Sequence, residues 1–193
     1  MERILEAAQQ LIAEEGIAGF TLSAVAARAN VAVGTVYQRF ADKTDLLVSA
    51  QQRWLDEVAR TQREEFLPAA AQQPDVVRAV ALYAERLAVL FRDHAGLVRE
   101  FVVYAAAVPA LRESAQQRLD QLARERCDVF MALPGRPPHI TRGRILFALR
   151  AVQSLLEWRV ATSPEVEDAA AMPWDTVSRD VSELVAAYLG HDA

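Results

Sequence analysis

Residues 30–40 read NVAVGTVYQRF, and Lys43, the only lysine in the chain, lies three positions further on. The side chains of this stretch suit polar recognition better than bond making. Thr35, Tyr37 and Gln38 can each donate and accept hydrogen bonds, and Arg39 presents a permanently charged planar fork of donors. Gly34 leaves the backbone bare. Residues able to do covalent or metal chemistry are scattered by contrast. His94, His139 and His191 are far apart and form no metal-spaced pair. Cys127 is the single cysteine, without a histidine near it in sequence. Glu14-Glu15 and Glu64-Glu65 have the look of solvated faces, and no Gly-rich phosphate loop occurs. The expectation is a binding protein, with no catalytic role, no metal and no cofactor.

With 193 residues the chain can bury a sizeable core, as one domain or two small ones. It is rich in Ala, Leu, Val and Arg, with only 7 Gly and 8 Pro, a composition that favours helix. The net charge of −5 argues against general affinity for nucleic acid, but a local basic face is compatible with it. A lone cysteine points to a reducing, cytoplasmic compartment. The start, MERILEAAQQLIAEEG, is charged from residue 2 and does not resemble a secretory segment. No apolar run approaches the roughly 18–20 residues that cross a bilayer, so no membrane partner is expected.

Periodicity predicts an all-α chain of about nine helices. The first, Glu2–Glu15, has Ile4, Leu5, Ala8, Leu11 and Ile12 on one face, with Gly16 as its terminator. Thr21 is the N-cap of a second, Leu22–Ala29. Asn30-Val31-Ala32 is a tight turn, and Asn is the residue after Gly that best tolerates the left-handed region. A third helix follows, Val33–Phe40. Asp42, with Asp45 three positions on, caps a fourth that reaches about Glu65. The punctuation PAAAQQP (68–74) precedes helices over Asp75–Arg92, Leu97–Ala107 and Ala110–Leu133. PGRPPHI (134–140) is a rigid loop. Thr141 caps an eighth helix to about Val160, residues 162–173 form an acidic loop, and a ninth helix runs from Pro173 to near Leu189.

Two short helices joined by a three-residue turn, with a third before them, fit a helix-turn-helix, whose second helix enters the DNA major groove. Val25, Val36 and Phe40 would fix that helix, leaving Thr35, Tyr37 and Gln38 outward. Gly34 costs a helix roughly 1 kcal/mol relative to Ala, which makes sense if its backbone must approach a partner closely. Lys43 opposes the macrodipole at a helix start, which makes sense if it meets a phosphate. An ordinary α-hairpin in a bundle, with Lys43 a solvated charge, accounts for the same spacing.

Residues 21–47, TLSAVAARANVAVGTVYQRFADKTDLL, closely resemble the N-terminal signature of tetracycline-repressor (TetR) family regulators. The resemblance covers about residues 3–50. It implies a helix-turn-helix head, residues 1–47, and a helical body, residues 48–193, for ligand binding and dimerisation. The implied partners are a double-stranded DNA operator, a small-molecule effector and a second copy of the chain. Position by position it implies phosphate contacts from Thr21, Tyr37 and Lys43, close approach at Gly34, and groove-facing Val33, Thr35 and Gln38. Three positions depart from the family pattern: Asn30 stands where Gly is favoured, Ala32 where Ser is usual, and Arg39 where an aromatic or His is common. Arg39 is then a phosphate anchor, a guanine reader, or a surface partner of Asp42 or Asp45. Between Thr21 and Lys43 the cations Arg28, Arg39 and Lys43 outnumber the single anion, Asp42.

In the body, aromatic and soft residues gather on the middle helices: Trp54, Tyr83, Phe91, Phe101, Tyr104, Cys127, Phe130, Met131 and Trp158. Together they are the candidate lining of a largely apolar ligand pocket. Each alone reads equally as core. Arg86, Arg99, His94 or Gln153 could add a polar anchor. The resemblance also implies a four-helix bundle between two copies. The candidate contacts are Ile145, Leu149, Val152 and Leu156, then Val177, Val181, Leu184, Val185 and Tyr188. Any buried helix shows the same stripe.

Overall fold

The computed structural model describes residues 1–162 and 173–191. Among the described residues the chain is helical and contains no strand. In chain order the helices are α1 (Glu2–Gly19), α2 (Leu22–Arg28), α3 (Val33–Tyr37) and α4 (Lys43–Thr61). A π-helical turn, Gln62–Phe66, carries α4 on into Leu67–Ala71. Then come α5 (Val76–Asp93), α6 (Ala95–Ala105), α7 (Pro109–Met131), α8 (Arg142–Thr162) and α9 (Trp174–Gly190). The acidic loop expected at 162–173 lies almost wholly outside the described residues.

Local rules account for most boundaries. Thr21 accepts from the Ala24 amide at 3.1 Å and Asp75 from the Arg78 amide at 2.8 Å, each satisfying an orphaned donor of its helix. Asn30 adopts a φ of 52°. Around it the Val31 amide reaches the Ala26 carbonyl at 3.0 Å and the Asn30 amide reaches Ala27 at 3.1 Å, the paired bonds of a Schellman stop. Gly16 sits at φ 72°, where α1 breaks and resumes for one more turn, so the expected end at Glu15 becomes a kink. The fourth helix does not stop near Glu65 either. Its π turn widens the bond pattern just before Pro68, which has no amide hydrogen to give.

The chain divides into two compact units. Unit 1 comprises Met1–Val58 and Ala95–Leu119. Its core contains Ile4, Leu5, Leu11, Ile12, Phe20, Val25, Val36, Phe40, Leu46 and Leu47, all buried. Burying each such side chain contributes about 1.5–3 kcal/mol. Polar ties add direction: Gln9 donates to the Ala50 carbonyl at 3.0 Å, and Arg53 bonds Glu2 at 3.0 Å and Glu57 at 2.9 Å. Against α1 packs α6, close enough that a Cβ added at Gly96 would lie 3.3 Å from the Ala13 carbonyl oxygen.

Unit 2 comprises Ala59–His94 and Asp120–Ala193. Its core is made by one face each of α5, α8 and α9: Val80, Tyr83, Leu87, Ile145, Leu149, Val152, Leu156, Val177, Val181 and Val185 are buried. The C-terminal carbonyls of α9 are held from outside the helix. His139 Nε2 donates to Leu189 at 3.2 Å, and Arg144 donates to Tyr188 and, at 3.0 Å, to His191. Both α4 and α7 run unbroken across the unit boundary, α4 past Val58 and α7 past Leu119.

Candidate functional site

The second and third helices form the expected pair. Val36 and Phe40 are buried with Val25 behind them, which sets the angle of α3. The opposite face is open: Val33 is 40 % and Tyr37 58 % exposed, and Gly34, Gln38 and Arg39 are exposed as well. Thr35 is half-buried. The helix ends at Tyr37 rather than Phe40, with Gln38 as its C-cap. Ala32 at the N-cap makes no side-chain hydrogen bond. A Cβ built at Gly34 meets no protein atom within 4 Å. Packing inside the protein therefore does not require a glycine here.

The charges of the head are arranged differently from their sequence order. Arg28 pairs with Glu14 at 2.7 Å and lies 3.8 Å from Glu15, so it is spent within the protein. That hydrogen bond holds the Glu14 carboxyl below its ordinary range and raises Arg28. Asp42 accepts from the Asp45 amide at 2.9 Å and Asp45 from the Ala41 amide at 3.0 Å. Both aspartates thus cap the start of α4, and Arg39 forms no ion pair with either among the described residues. Lys43 Nζ donates to the Ile17 carbonyl at 2.8 Å and sits 5.8 Å from the Phe20 ring centre. Its ammonium has two further hydrogens to offer a partner.

Two unit 1 contacts carried no signal in the sequence. Arg3 donates to the Ala29 carbonyl at 2.7 Å and the Asn30 carbonyl at 3.4 Å, tying α1 to the helix-turn-helix turn. Glu100 on α6 accepts from the Ile17 amide at 2.8 Å. The Ile17 peptide is therefore held from both ends, its N–H by Glu100 and its C=O by Lys43. Neither partner lies within 25 positions of Ile17 in the chain, beyond the reach of any periodicity.

The candidate pocket residues are divided between the two units. Trp54, Phe101 and Tyr104 belong to unit 1, and Tyr83, Phe91, Cys127, Phe130, Met131 and Trp158 to unit 2. Within unit 2 the ring centres of Tyr83 and Phe130 lie 5.7 Å apart, and Phe66 joins from the π turn at 6.2 Å, both edge-to-face. Trp158 stands apart from them, 61 % exposed on α8. Cys127 is buried, its Sγ donating to the Arg142 carbonyl at 3.7 Å, and burial pushes its thiol up. A thiol so placed is a small apolar residue rather than a nucleophile.

Three of the named polar anchors are engaged elsewhere: Arg86 with the Glu65 carbonyl, Arg99 with Glu100, and Gln153 with Glu157. His94 is exposed and also has a partner. The residue that sequence reasoning missed is Arg126. It is only 5 % exposed, donating to the Tyr83 hydroxyl through Nη1 and to the Leu122 carbonyl through Nε at 2.8 Å. Its neighbour in sequence, Glu125, pairs with Arg63 instead.

Of the nine positions expected between two copies, seven are buried within the protomer: Ile145, Leu149, Val152, Leu156, Val177, Val181 and Val185. Their stripe contributes to the core of unit 2. Leu184 is exposed and Tyr188 half-buried. The open apolar side chains of the same two helices are Phe147, Leu155 and Trp158 on α8, at helical spacing, and Leu184 on α9. Phe147 and Tyr188 touch, with ring centres 5.2 Å apart.

Among the described residues no cluster of His, Cys, Asp or Glu could hold a metal, and no helix is long and apolar enough to cross a membrane. Residues 4–50 match the family model of bacterial regulatory proteins, tetR family. No curated protein matches the chain significantly in sequence. Solved structures similar to it include a TetR-family transcriptional regulator of Mesorhizobium loti, at 18% identity and a TM-score of 0.77, covering 98% of this chain and 94% of that one. FadR of Bacillus subtilis, solved with stearoyl-CoA, is 18% identical with a TM-score of 0.68 over 97% of this chain and 98% of its own. The multidrug binding protein EbrR, complexed with imidazole, is 22% identical with a TM-score of 0.71 over 100% and 96%.

Proposed function

We propose that this chain, whose head matches the tetR family model over residues 4–50, is a TetR-family regulator, a homodimeric repressor that a small, largely apolar effector releases from a palindromic DNA operator. The observation that carries the reading is the open face of α3. Val36 and Phe40 anchor the helix, while Gly34, Tyr37, Gln38 and Arg39 face away from the protein with Gly34 unobstructed. In this reading Val33, Thr35 and Gln38 face the bases, and Thr21, Tyr37, Arg39 and Lys43 meet phosphates. Residues 1–47 act as the DNA-binding head and residues 48–193 as the ligand-binding and dimerisation body.

A palindromic operator needs two heads about 34–36 Å apart, or a multiple of that, and a two-fold dimer supplies them. Phe147, Leu155, Trp158 and Leu184 are the apolar surface that a second copy would cover, with Tyr188 at its margin. The effector reading draws support from FadR and EbrR, relatives solved with bound small molecules. A ligand in the body would act through α4, which begins at Lys43 and continues into unit 2. An effector that weakens operator affinity tenfold must bind the DNA-free protein tenfold better, about 1.4 kcal/mol.

The test is gel-shift titration on a duplex selected from a random pool by the native protein. Tyr37→Phe and Lys43→Ala should each weaken binding, with circular dichroism showing that both variants still fold. Native affinity in both variants would remove the assigned phosphate contacts.

A further inference from the structure

Unit 2 buries a cation without an anion. Arg126 is 5 % exposed, and among the described residues no carboxylate pairs with it. Its two partners are neutral: the Leu122 carbonyl, 2.8 Å from Nε, and the Tyr83 hydroxyl, bonded to Nη1. Burial pushes the Tyr83 hydroxyl upward against the opposing pull of Arg126, so no phenolate compensates the charge near neutral pH. Nη2 has no hydrogen-bond partner among the described residues. A guanidinium is costly to desolvate unless an opposite charge accompanies it, and its fork matches a carboxylate edge-on.

The surroundings mark the place as more than a polar tie. Tyr83 is fully buried between Phe66 and Phe130 in edge-to-face contact, so the guanidinium lies at the border of an aromatic cluster. Phe66 closes a π-helical turn, a local irregularity frequent at functional sites. Gln62, which opens that turn, is 2 % exposed, and its side-chain carbonyl oxygen has no hydrogen-bond partner. A buried acceptor without a partner thus stands on the same turn as Phe66, and a guanidinium without an anion stands at Tyr83.

We infer that Arg126, positioned by Tyr83, is the anion-holding end of the effector site, and that the effector is a small apolar molecule carrying a carboxylate. The aromatic rings take the apolar part and the guanidinium takes the carboxylate through Nη2. This rests on the ligand-responsive reading above and narrows it from a merely apolar effector to an organic acid.

The test compares octanoate, decanoate and 3-phenylpropanoate with their primary amides by calorimetry at fixed ionic strength. At least one acid should bind the native protein tenfold or more tightly than its amide. The double variant Tyr83→Phe with Arg126→Met removes both polar groups and keeps the packing. It should lose the preference for acid over amide while its melting temperature stays level or rises. Equal binding of every acid and its amide, absence of binding by all the acids, or a preference that survives the double substitution overturns the inference. So does a marked fall in melting temperature, which would make the pair a structural tie. Gel shifts run alongside separate the two readings. Operator binding without acid selectivity removes the subsite alone, and acid selectivity without DNA binding removes the regulator alone.

Discussion

Replacing Gly34 by Ala should strengthen the fold and weaken DNA binding at the same time. The backbone of Gly34 is helical, within a helix of five residues, and an added Cβ touches nothing within 4 Å. Alanine therefore gains helix propensity without a steric cost, about 0.5 kcal/mol near a helix start, the lower end of the Gly-to-Ala range. In a chain of this size that is roughly a 1–2 °C rise in melting temperature. If α3 lies against DNA at van der Waals distance, the same methyl must be accommodated at the interface. Overpacking of that kind costs about 1–3 kcal/mol, or roughly a 5- to 150-fold loss of operator affinity. Thermal denaturation and gel shift at low salt read the two effects separately. A melting temperature that rises while affinity stays native would refute close approach at Gly34. A fall in melting temperature would refute the open space on which the reasoning depends.

The paired and unpaired arginines of the head should behave differently. Arg39→Ala should lower affinity and flatten the dependence of log K on log salt by about 0.9 per head if it holds a phosphate. Arg28→Ala should leave that slope native, because Arg28 is bound to Glu14; salt-titrated gel shifts distinguish the two. If two copies pair through the open face of α8, Trp158→Asp should yield a folded monomer in sedimentation velocity, since the side chain is 61 % exposed. A dimer that persists would place the interface elsewhere. Glu100→Ala orphans the Ile17 amide and should cost about 1–3 kcal/mol in urea unfolding, against little change for Glu113→Ala on the exposed start of α7.

How much could be read in advance depended on the range of each signal. The Thr21 cap, the left-handed Asn30 and the pairing of Asp42 with Asp45 were legible because such contacts span three or four residues. The stop at Gly16 was half right: a positive φ does occur there, but packing brings the chain back into a further helical turn. Lys43 is unusual as a cation at a helix start, a local signal, whereas its bond to the Ile17 carbonyl spans 26 positions and has none. On α8 and α9 apolar residues occur on more than one face. Periodicity showed the stripe buried in the protomer and, of the open side chains Phe147, Leu155, Trp158 and Leu184, put only Leu184 among the contacts for a second copy.

The sequence alone was enough to read the chain as all-helical, with a helix-turn-helix of the TetR pattern that turns Thr35, Tyr37 and Gln38 away from Val36 and Phe40, although Thr35 is half-buried. Helix periodicity and capping are properties of neighbours along the chain, and they survive any tertiary arrangement. Only the tertiary structure decided which charges stay available and which are consumed. Arg28 is neutralised by a glutamate 14 positions away, Ile17 is clamped by Glu100 from 83 positions away, and Arg126 meets Tyr83 across 43. Such pairs follow from how helices pack. Packing is settled by burial summed over many side chains at once, a quantity that no short stretch of sequence contains.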